Sequence, residues 1–120
     1  MTGGARKEGL SRRHRFAGRG AFMAALRSPR KIRGTASLLH ILPGVPGASR
    51  LGLALPKRLA RRAVDRNRLK RLAREVFRRH EAKRLGFDLV IAPRQAFTRG
   101  DAAAWVAEVG ALLDRVAAER

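Results

Sequence analysis

The chain has 120 residues, a length that allows one hydrophobic core and is too short for two domains. It contains no cysteine, which excludes disulfides, thiolate metal sites and cysteine nucleophiles and makes the cytoplasm the expected compartment. Lysine and arginine number 28 against 9 acidic residues, and the formal charge of +19 predicts a polyanionic partner.

The positive charge lies in the first two-thirds of the chain, where residues 1–86 hold 24 basic and 4 acidic side chains. Nucleic acid is the favoured polyanion. An anionic membrane surface is one alternative, although the aromatic anchors of membrane-surface helices are few, with one Trp and no Tyr. A basic surface without a specific role is the other. No apolar stretch approaches the roughly 18 residues of a membrane helix, so we expect a soluble protein with no membrane partner.

The first elements in chain order are an arm and a short helix. Residues 1–15 are basic and glycine-rich, which predicts a flexible arm that follows phosphates. A single RNA-binding domain is expected over residues 16–120. Phe22 and Leu26 are spaced as on one helix face, which predicts a helix over 16–26 that ends before Pro29.

Three apolar runs predict β-strands over residues 36–42, 50–57 and 87–92, and the first and third are each followed by proline. The second run alternates leucine with small residues, which is the period of a strand with one large-residue face. The third is almost continuously apolar, which is typical of a central strand.

A basic helix is predicted over residues 65–85, between the last two strands. Apolar residues at three- and four-residue spacing form a stripe for packing, namely Leu69, Leu72, Ala73, Val76 and Phe77. Polar and basic residues are assigned to the opposite side, namely Arg66, Asn67, Lys70, Arg71, Arg74 and Arg78. One face is therefore expected to pack on the sheet and the other to meet phosphates.

A last helix is predicted over residues 101–118, where Trp105, Val109 and Val116 belong to one apolar stripe. Asp101 is placed to cap its N-terminus or to interact with the helix dipole. The near-neutral charge of this segment predicts packing and no contact with RNA.

Residues 50–80 carry the most informative motif. It is Arg66-Asn67-Arg68-Leu69-Lys70-Arg71 followed by Arg74 and Glu75, with Gly52 and Lys57 upstream. This order resembles the signature of the bacterial ribonuclease P protein component. The resemblance covers about residues 16–118, since the flanking helices and strands fit the same family.

The family resemblance implies an α/β (α+β) two-layer sandwich in the order αβββαβα, with a left-handed crossover through the basic helix. This order requires a fourth strand, which we place near residues 31–33. The implied function is that of the protein subunit of ribonuclease P, a hydrolase whose catalytic centre is RNA. Such a subunit binds the catalytic RNA in a 1:1 complex and assists removal of the 5′ leader from precursor tRNA, broadening substrate range and raising affinity.

Carried onto this sequence, the RNA-binding residues are Lys57, Arg58, Arg61, Arg62, Arg66, Asn67, Arg68, Lys70, Arg71, Arg74 and Arg78. The residue types suit the role, because guanidinium groups bind phosphate bidentately and lysine acts as a point charge. Taken singly, each arginine is equally well explained as a solvated surface residue. For Asn67 the alternative is a local helix cap.

A second surface is implied for the single-stranded leader, formed by Phe16, Phe22, Leu26 and His40. Stacking groups beside a basic groove suit a single strand. The sequence departs from the aromatic-rich family pattern, since Leu26 has no ring to stack. Phe22 and Leu26 are equally well explained as core residues, and His40 as a polar strand residue.

No catalytic constellation is present in the sequence, because its serines, histidines and carboxylates lack the required motifs or spacing. Mg²⁺ is therefore expected to be held mainly by the partner RNA and substrate, with no metal site and no catalytic residue on the protein. The rival functions are a structural RNA-binding protein of ribosomal type and a stand-alone nuclease.

Overall fold

The computed structural model describes residues 26–97 and 99–119. The strands are β1 (Lys31–Arg33), β2 (Ser37–Pro43), β3 (Arg50–Leu53) and β4 (Phe87–Pro93), and the helices are α1 (Ala63–Arg79) and α2 (Ala102–Glu119). Short 3-10 helices, Glu81–Arg84 and Arg99–Asp101, precede β4 and α2. The order βββαβα confirms the predicted fold class and the short first strand. The predicted arm and first helix lie outside the described residues, apart from Leu26.

The four strands form one mixed sheet in the order β1-β2-β4-β3. β2 pairs antiparallel with both β1 and β4, and β3 runs parallel to β4. The central position predicted for the third apolar run is confirmed, because β4 has a partner on each side. α1 connects β3 to the parallel strand β4. This is the crossover that the family resemblance implies to be left-handed.

β3 ends at Leu53, four residues earlier than predicted. The Ala54 N–H still donates to the carbonyl of Ile91. Beyond it, Pro56 lacks an N–H and its carbonyl accepts the N–H groups of Leu59 and Ala60 at 3.0 and 3.2 Å, forming a turn. The alternation of leucine with small residues continues beyond the end of β3, which is why the predicted strand was too long.

Both helices pack on one face of the sheet, where alternate residues of β2 and β4 are fully buried. α1 contributes Leu69, Ala73 and Phe77 to this core, which confirms the predicted apolar stripe. Trp105 of α2 is fully buried and satisfies its indole N–H by donating to the Leu69 carbonyl at 2.8 Å.

The limits of α1 differ from the predicted 65–85. The helix starts at Ala63, with Arg62 at the N-cap, so Asn67 is the fifth helical residue and its interpretation as a cap is wrong. It ends at Arg79, because the backbone of His80 is extended with ψ 145°. The Lys83 ammonium donates to the Arg78 carbonyl at 2.7 Å and satisfies one of the free carbonyls at this end.

Candidate nucleic-acid interface

The segment between β3 and α1, residues 54–62, is a compact loop, called the basic loop below. Its carbonyl at Leu59 accepts the Phe97 N–H at 2.8 Å, and Ala60 is buried in the core with 2% exposure. These two attachments hold the loop backbone against the domain. Four exposed cations point away from it, namely Lys57, Arg58, Arg61 and Arg62.

The second part of the surface is a strip on α1, called the basic strip, formed by Asn67, Lys70, Arg71, Arg74 and Arg78. At 3.6 residues per turn these positions lie within a sector of about 100°. Asn67 and Arg71 are exposed, and the other three are half-buried. The strip begins with Asn67, about one turn after the basic loop, and its first cation is Lys70, so the two cationic segments follow one another along the chain. The loop end of the strip coincides with the positive end of the helix dipole.

Two residues from the predicted set lie outside this strip. Arg68 is exposed but lies about 60° beyond Arg71, on the flank of Glu75. Arg66 was assigned to the outward side, whereas the structure places it half-buried at the edge of the packing face. The reason is periodicity, since Arg66 precedes the buried Ala73 by seven residues, close to two full turns.

Arg66 is hydrogen-bonded within the protein. Its Nη1 atom donates to the carbonyls of Ala60 and Arg61, at 3.0 Å in each case. The guanidinium therefore links the first turns of α1 to the end of the basic loop.

Glu75 adds a negative charge beside the strip. It accepts a hydrogen bond from the Arg78 guanidinium at 2.7 Å and lies 3.4 Å from that of Arg79. The hydrogen bond from Arg78, helped by the charges of both arginines, lowers the pKa of Glu75 below its usual value. Glu75 is therefore ionised at neutral pH and offsets part of the positive charge at the C-terminal end of α1.

The sheet face away from the helices contains His40, which is 6% exposed. It lies across the strands from Lys31 on one side and Val90 on the other, and Val90 pairs in turn with Gly52. The Nδ1 atom of His40 is buried and has no hydrogen-bond partner among the described residues. Burial, and then the charge of Lys31, lower the pKa of His40, so the ring is neutral at pH 7.

Sequence reasoning missed two cations on this second face. Lys31 and Arg33 are exposed on β1, and their cross-strand partners are His40 and Leu38. The intervening Ile32 is buried in the core on the helix side. The alternation in Lys31–Arg33 could have identified both cations once that segment was recognised as a strand.

Two of the four residues expected to form the leader surface are among the described residues. Phe16 and Phe22 lie outside the described residues, and Leu26 is half-buried. His40 is buried on the sheet face opposite the core cluster, and both interpretations of it, as a leader contact and as a polar strand residue, stay predictions.

Within the described ranges, no group of three or more histidine, cysteine, aspartate or glutamate side chains could hold a metal ion. Neither helix in this part of the chain is long and apolar enough to cross a bilayer. The one buried carboxylate in the sheet, Asp88, is paired with Arg50 through two hydrogen bonds of 2.8 and 2.5 Å. That pair joins β3 to β4 and is explained by the fold.

Comparison with solved structures shows the same fold in ribonuclease P proteins of two bacteria. The Staphylococcus aureus protein is 21% identical with a TM-score of 0.70, over 86% of this chain and 94% of that chain. The Thermotoga maritima protein is 24% identical with a TM-score of 0.65, over 85% and 93%. A Staphylococcus aureus mutant with defective mRNA degradation activity is 22% identical with a TM-score of 0.71, over 87% and 88%. At these identities the likeness establishes the fold.

The sequence itself matches the family model described as Ribonuclease P over residues 10–117. No curated protein matches it significantly. The matched range includes the basic loop, the whole of α1 and every described strand. The chain therefore belongs to the ribonuclease P protein family, the protein subunit of a tRNA-processing ribonucleoprotein endoribonuclease that works with an RNA subunit.

Proposed function

We propose that the basic loop and the basic strip bind the catalytic RNA of ribonuclease P, and that the opposite sheet face binds the 5′ leader of precursor tRNA. The observation that carries the first assignment is the succession of the two cationic segments along the chain. Four exposed cations of the loop precede the strip on a regular helix. Rigid spacing of this kind suits the fixed phosphate positions of a folded RNA.

The strength of this contact would come mainly from phosphate neutralisation. Each cation that meets a phosphate releases counterions, so affinity should fall steeply as salt rises. Exposed guanidinium groups add bidentate hydrogen bonds to phosphate oxygens. The Asn67 amide, exposed within the strip, can both donate and accept, which suits a ribose or a base edge.

The proposed leader surface combines a neutral aromatic ring with nearby cations. His40 is uncharged at neutral pH and lies beside Val90, while Lys31 and Arg33 project from the same face at the sheet edge. Single strands are bound by stacking of bases and by cations along the backbone. The family resemblance assigns the same role to Phe16, Phe22 and Leu26.

In this proposal the protein assists and the RNA catalyses. The catalytic RNA and the substrate hold most of the Mg²⁺, one protein binds one RNA, and the complex works in the cytoplasm. The protein broadens substrate range and raises substrate affinity by neutralising phosphates where the two RNAs meet.

The test compares two double variants with equal loss of charge. R61A/R62A removes cations from the basic loop, and the control R84A/R94A removes two exposed arginines outside loop and strip. R61A/R62A should weaken binding to the catalytic RNA about tenfold or more, because charge-assisted contacts are worth on the order of 1.5 kcal/mol or more each. The control should change affinity much less.

Cleavage of precursor tRNA by the reconstituted complex gives the second measurement. The protein alone should not release the leader, and adding the RNA subunit should restore cleavage at low Mg²⁺. Equal losses of affinity in both double variants would contradict the proposal that the basic loop binds the catalytic RNA. RNA binding without any effect on leader removal would favour a purely structural RNA-binding protein.

A further inference from the structure

The end of the basic loop is held at four consecutive carbonyls. Leu59 accepts the Phe97 N–H at 2.8 Å, and Arg62 accepts the N–H groups of Asp65 and Arg66 at 3.1 and 3.0 Å. Between them, the Ala60 and Arg61 carbonyls both accept from the Arg66 side chain at 3.0 Å. The backbone that positions Arg61 and Arg62 is therefore fixed on both sides by the fold and in the middle by Arg66.

The same contacts restrict what the Arg66 guanidinium can do. Its Nη1 protons are used on protein carbonyls, and its stem lies at the edge of the helix face that packs on the core. Two of the five N–H donors of this guanidinium are therefore used within the protein, so Arg66 has fewer left for a phosphate than an exposed arginine such as Arg71. Arg61 and Arg62, by contrast, are exposed.

We infer that Arg66 is a positioning residue for RNA binding: it aligns Arg61 and Arg62 through the loop backbone and does not itself bind phosphate. The inference rests on the proposed function of the basic loop. It assigns to one arginine of the family motif a role in shaping the RNA surface. Loss of Arg66 should accordingly disable cations that are still present in the chain.

A mutant comparison separates the two roles. R66M keeps an unbranched stem for packing and removes the donors, while R71A removes one exposed cation of the strip and is the matched control. R71A should reduce the slope of log affinity against log salt by roughly 0.7 to 0.9. R66M should reduce it at least about twice as much, because Arg61 and Arg62 lose their alignment as well. A change in folding stability alone would leave the slope of the folded protein unchanged.

A double-mutant cycle tests the route of the effect. In an R61A/R62A background, R66M should cause little further loss of affinity, whereas R71A should cause its full loss. If R66M and R61A/R62A are additive and the R66M slope equals that of R71A, Arg66 is an ordinary phosphate contact and the inference is overturned. Unchanged affinity in R66M would overturn it too. If R61A/R62A binds the catalytic RNA with unchanged affinity, the proposed function of the basic loop is itself wrong.

Two measurements on the free protein do not depend on RNA. The amide hydrogens of Ala60 and Phe97 should exchange about tenfold faster in R66M than in R71A, because the loop opens more readily. In the wild-type protein, an arginine-selective dicarbonyl reagent should modify Arg66 slowly with or without RNA, and Arg71 quickly only without it. This labelling requires no variant to fold. Modification of free Arg66 as fast as that of Arg71 would contradict the inference.

Discussion

The two helices pack on the same face of one sheet, but their exposed surfaces differ in chemical character. α1 buries Leu69, Ala73 and Phe77 and turns the basic strip outward. α2 buries five large side chains, and its exposed positions include four alanines, Ala103, Ala104, Ala107 and Ala111. The comparison shows that packing determines only the inner face of each helix. The cations of the basic strip do not belong to the hydrophobic core, which is consistent with a role in binding.

The largest effect is expected from breaking the packing that both helices share. W105A removes a fully buried indole and its hydrogen bond to the Leu69 carbonyl. It should lower the free energy of unfolding by about 3–5 kcal/mol, as large-to-small core substitutions do. Denaturant unfolding should be followed by circular dichroism. Tryptophan fluorescence cannot be used, because Trp105 is the only tryptophan and W105A removes it.

W105F provides the control, because it keeps an aromatic ring and loses the indole N–H. Its loss of stability should be clearly smaller than that of W105A. Equal losses would mean that the hydrogen bond outweighs the packing.

A transfer of charge from α1 to α2 tests whether the position of the cations matters. K70A/R71A should weaken binding to the catalytic RNA about tenfold. Adding A103R/A107R restores the net charge on the exposed face of α2, and affinity should stay within about threefold of the K70A/R71A value. Filter binding at several salt concentrations measures both. Full recovery of affinity would show that net charge alone determines binding.

His40 makes stability depend on pH on the sheet face opposite both helices. Its pKa in the folded protein is lowered from 6.5, chiefly by burial and then by Lys31, so the unfolded chain takes up the proton first as the pH falls. The free energy of unfolding should therefore decrease as the pH falls below 6.5, by at most about 1.4 kcal/mol per pH unit. The decrease should stop once the pH is below the folded-state pKa.

H40Q is the variant that isolates this effect. Urea unfolding at pH 7.5 and 5.5 should show a smaller difference for H40Q than for the wild type. The same difference in both proteins would mean that another group titrates.

The smallest effect is expected at Glu75, the carboxylate beside the strip. E75Q releases Arg78 and Arg79 from an exposed ion pair, so the thermal midpoint should hardly change. RNA affinity should rise by roughly twofold at low salt, because one negative charge is removed from a positive surface. The gain should vanish at high salt, and E81Q, which removes an exposed carboxylate outside the strip, serves as the control.

Much of the fold could be predicted from local patterns. Alternating and continuous apolar runs identified β2, β3 and β4, and three- and four-residue spacing identified both helices and the buried face of α1. These periods follow from backbone geometry, which is the same wherever the element lies in the fold. The charge distribution and the motif from Arg66 to Glu75 predicted the family, which the match over residues 10–117 confirms.

Other features were decided by contacts between segments distant in sequence. Gly86, with φ +84°, lies against Val45, Pro46 and Gly47, and this approach directs the chain from the end of α1 into β4. His40 is 6% exposed and pairs with Lys31 on one side and, on the other, with Val90, which lies fifty residues later in the chain. Only the tertiary structure could therefore show how the chain enters β4 and that His40 is buried.

The role of Arg66 could be predicted only in part from the sequence. Its position in the motif predicted that it takes part in RNA binding, and the seven-residue interval to Ala73 was available in the sequence. Its direction depended on where α1 begins and on the path of the basic loop, which brings the carbonyls of Ala60 and Arg61 within 3.0 Å of its guanidinium. The sequence by itself determined which residue types were available and with what period. The tertiary structure decided which of them face RNA and which hold the surface in place, because burial and hydrogen-bond partners are set by the folded chain as a whole.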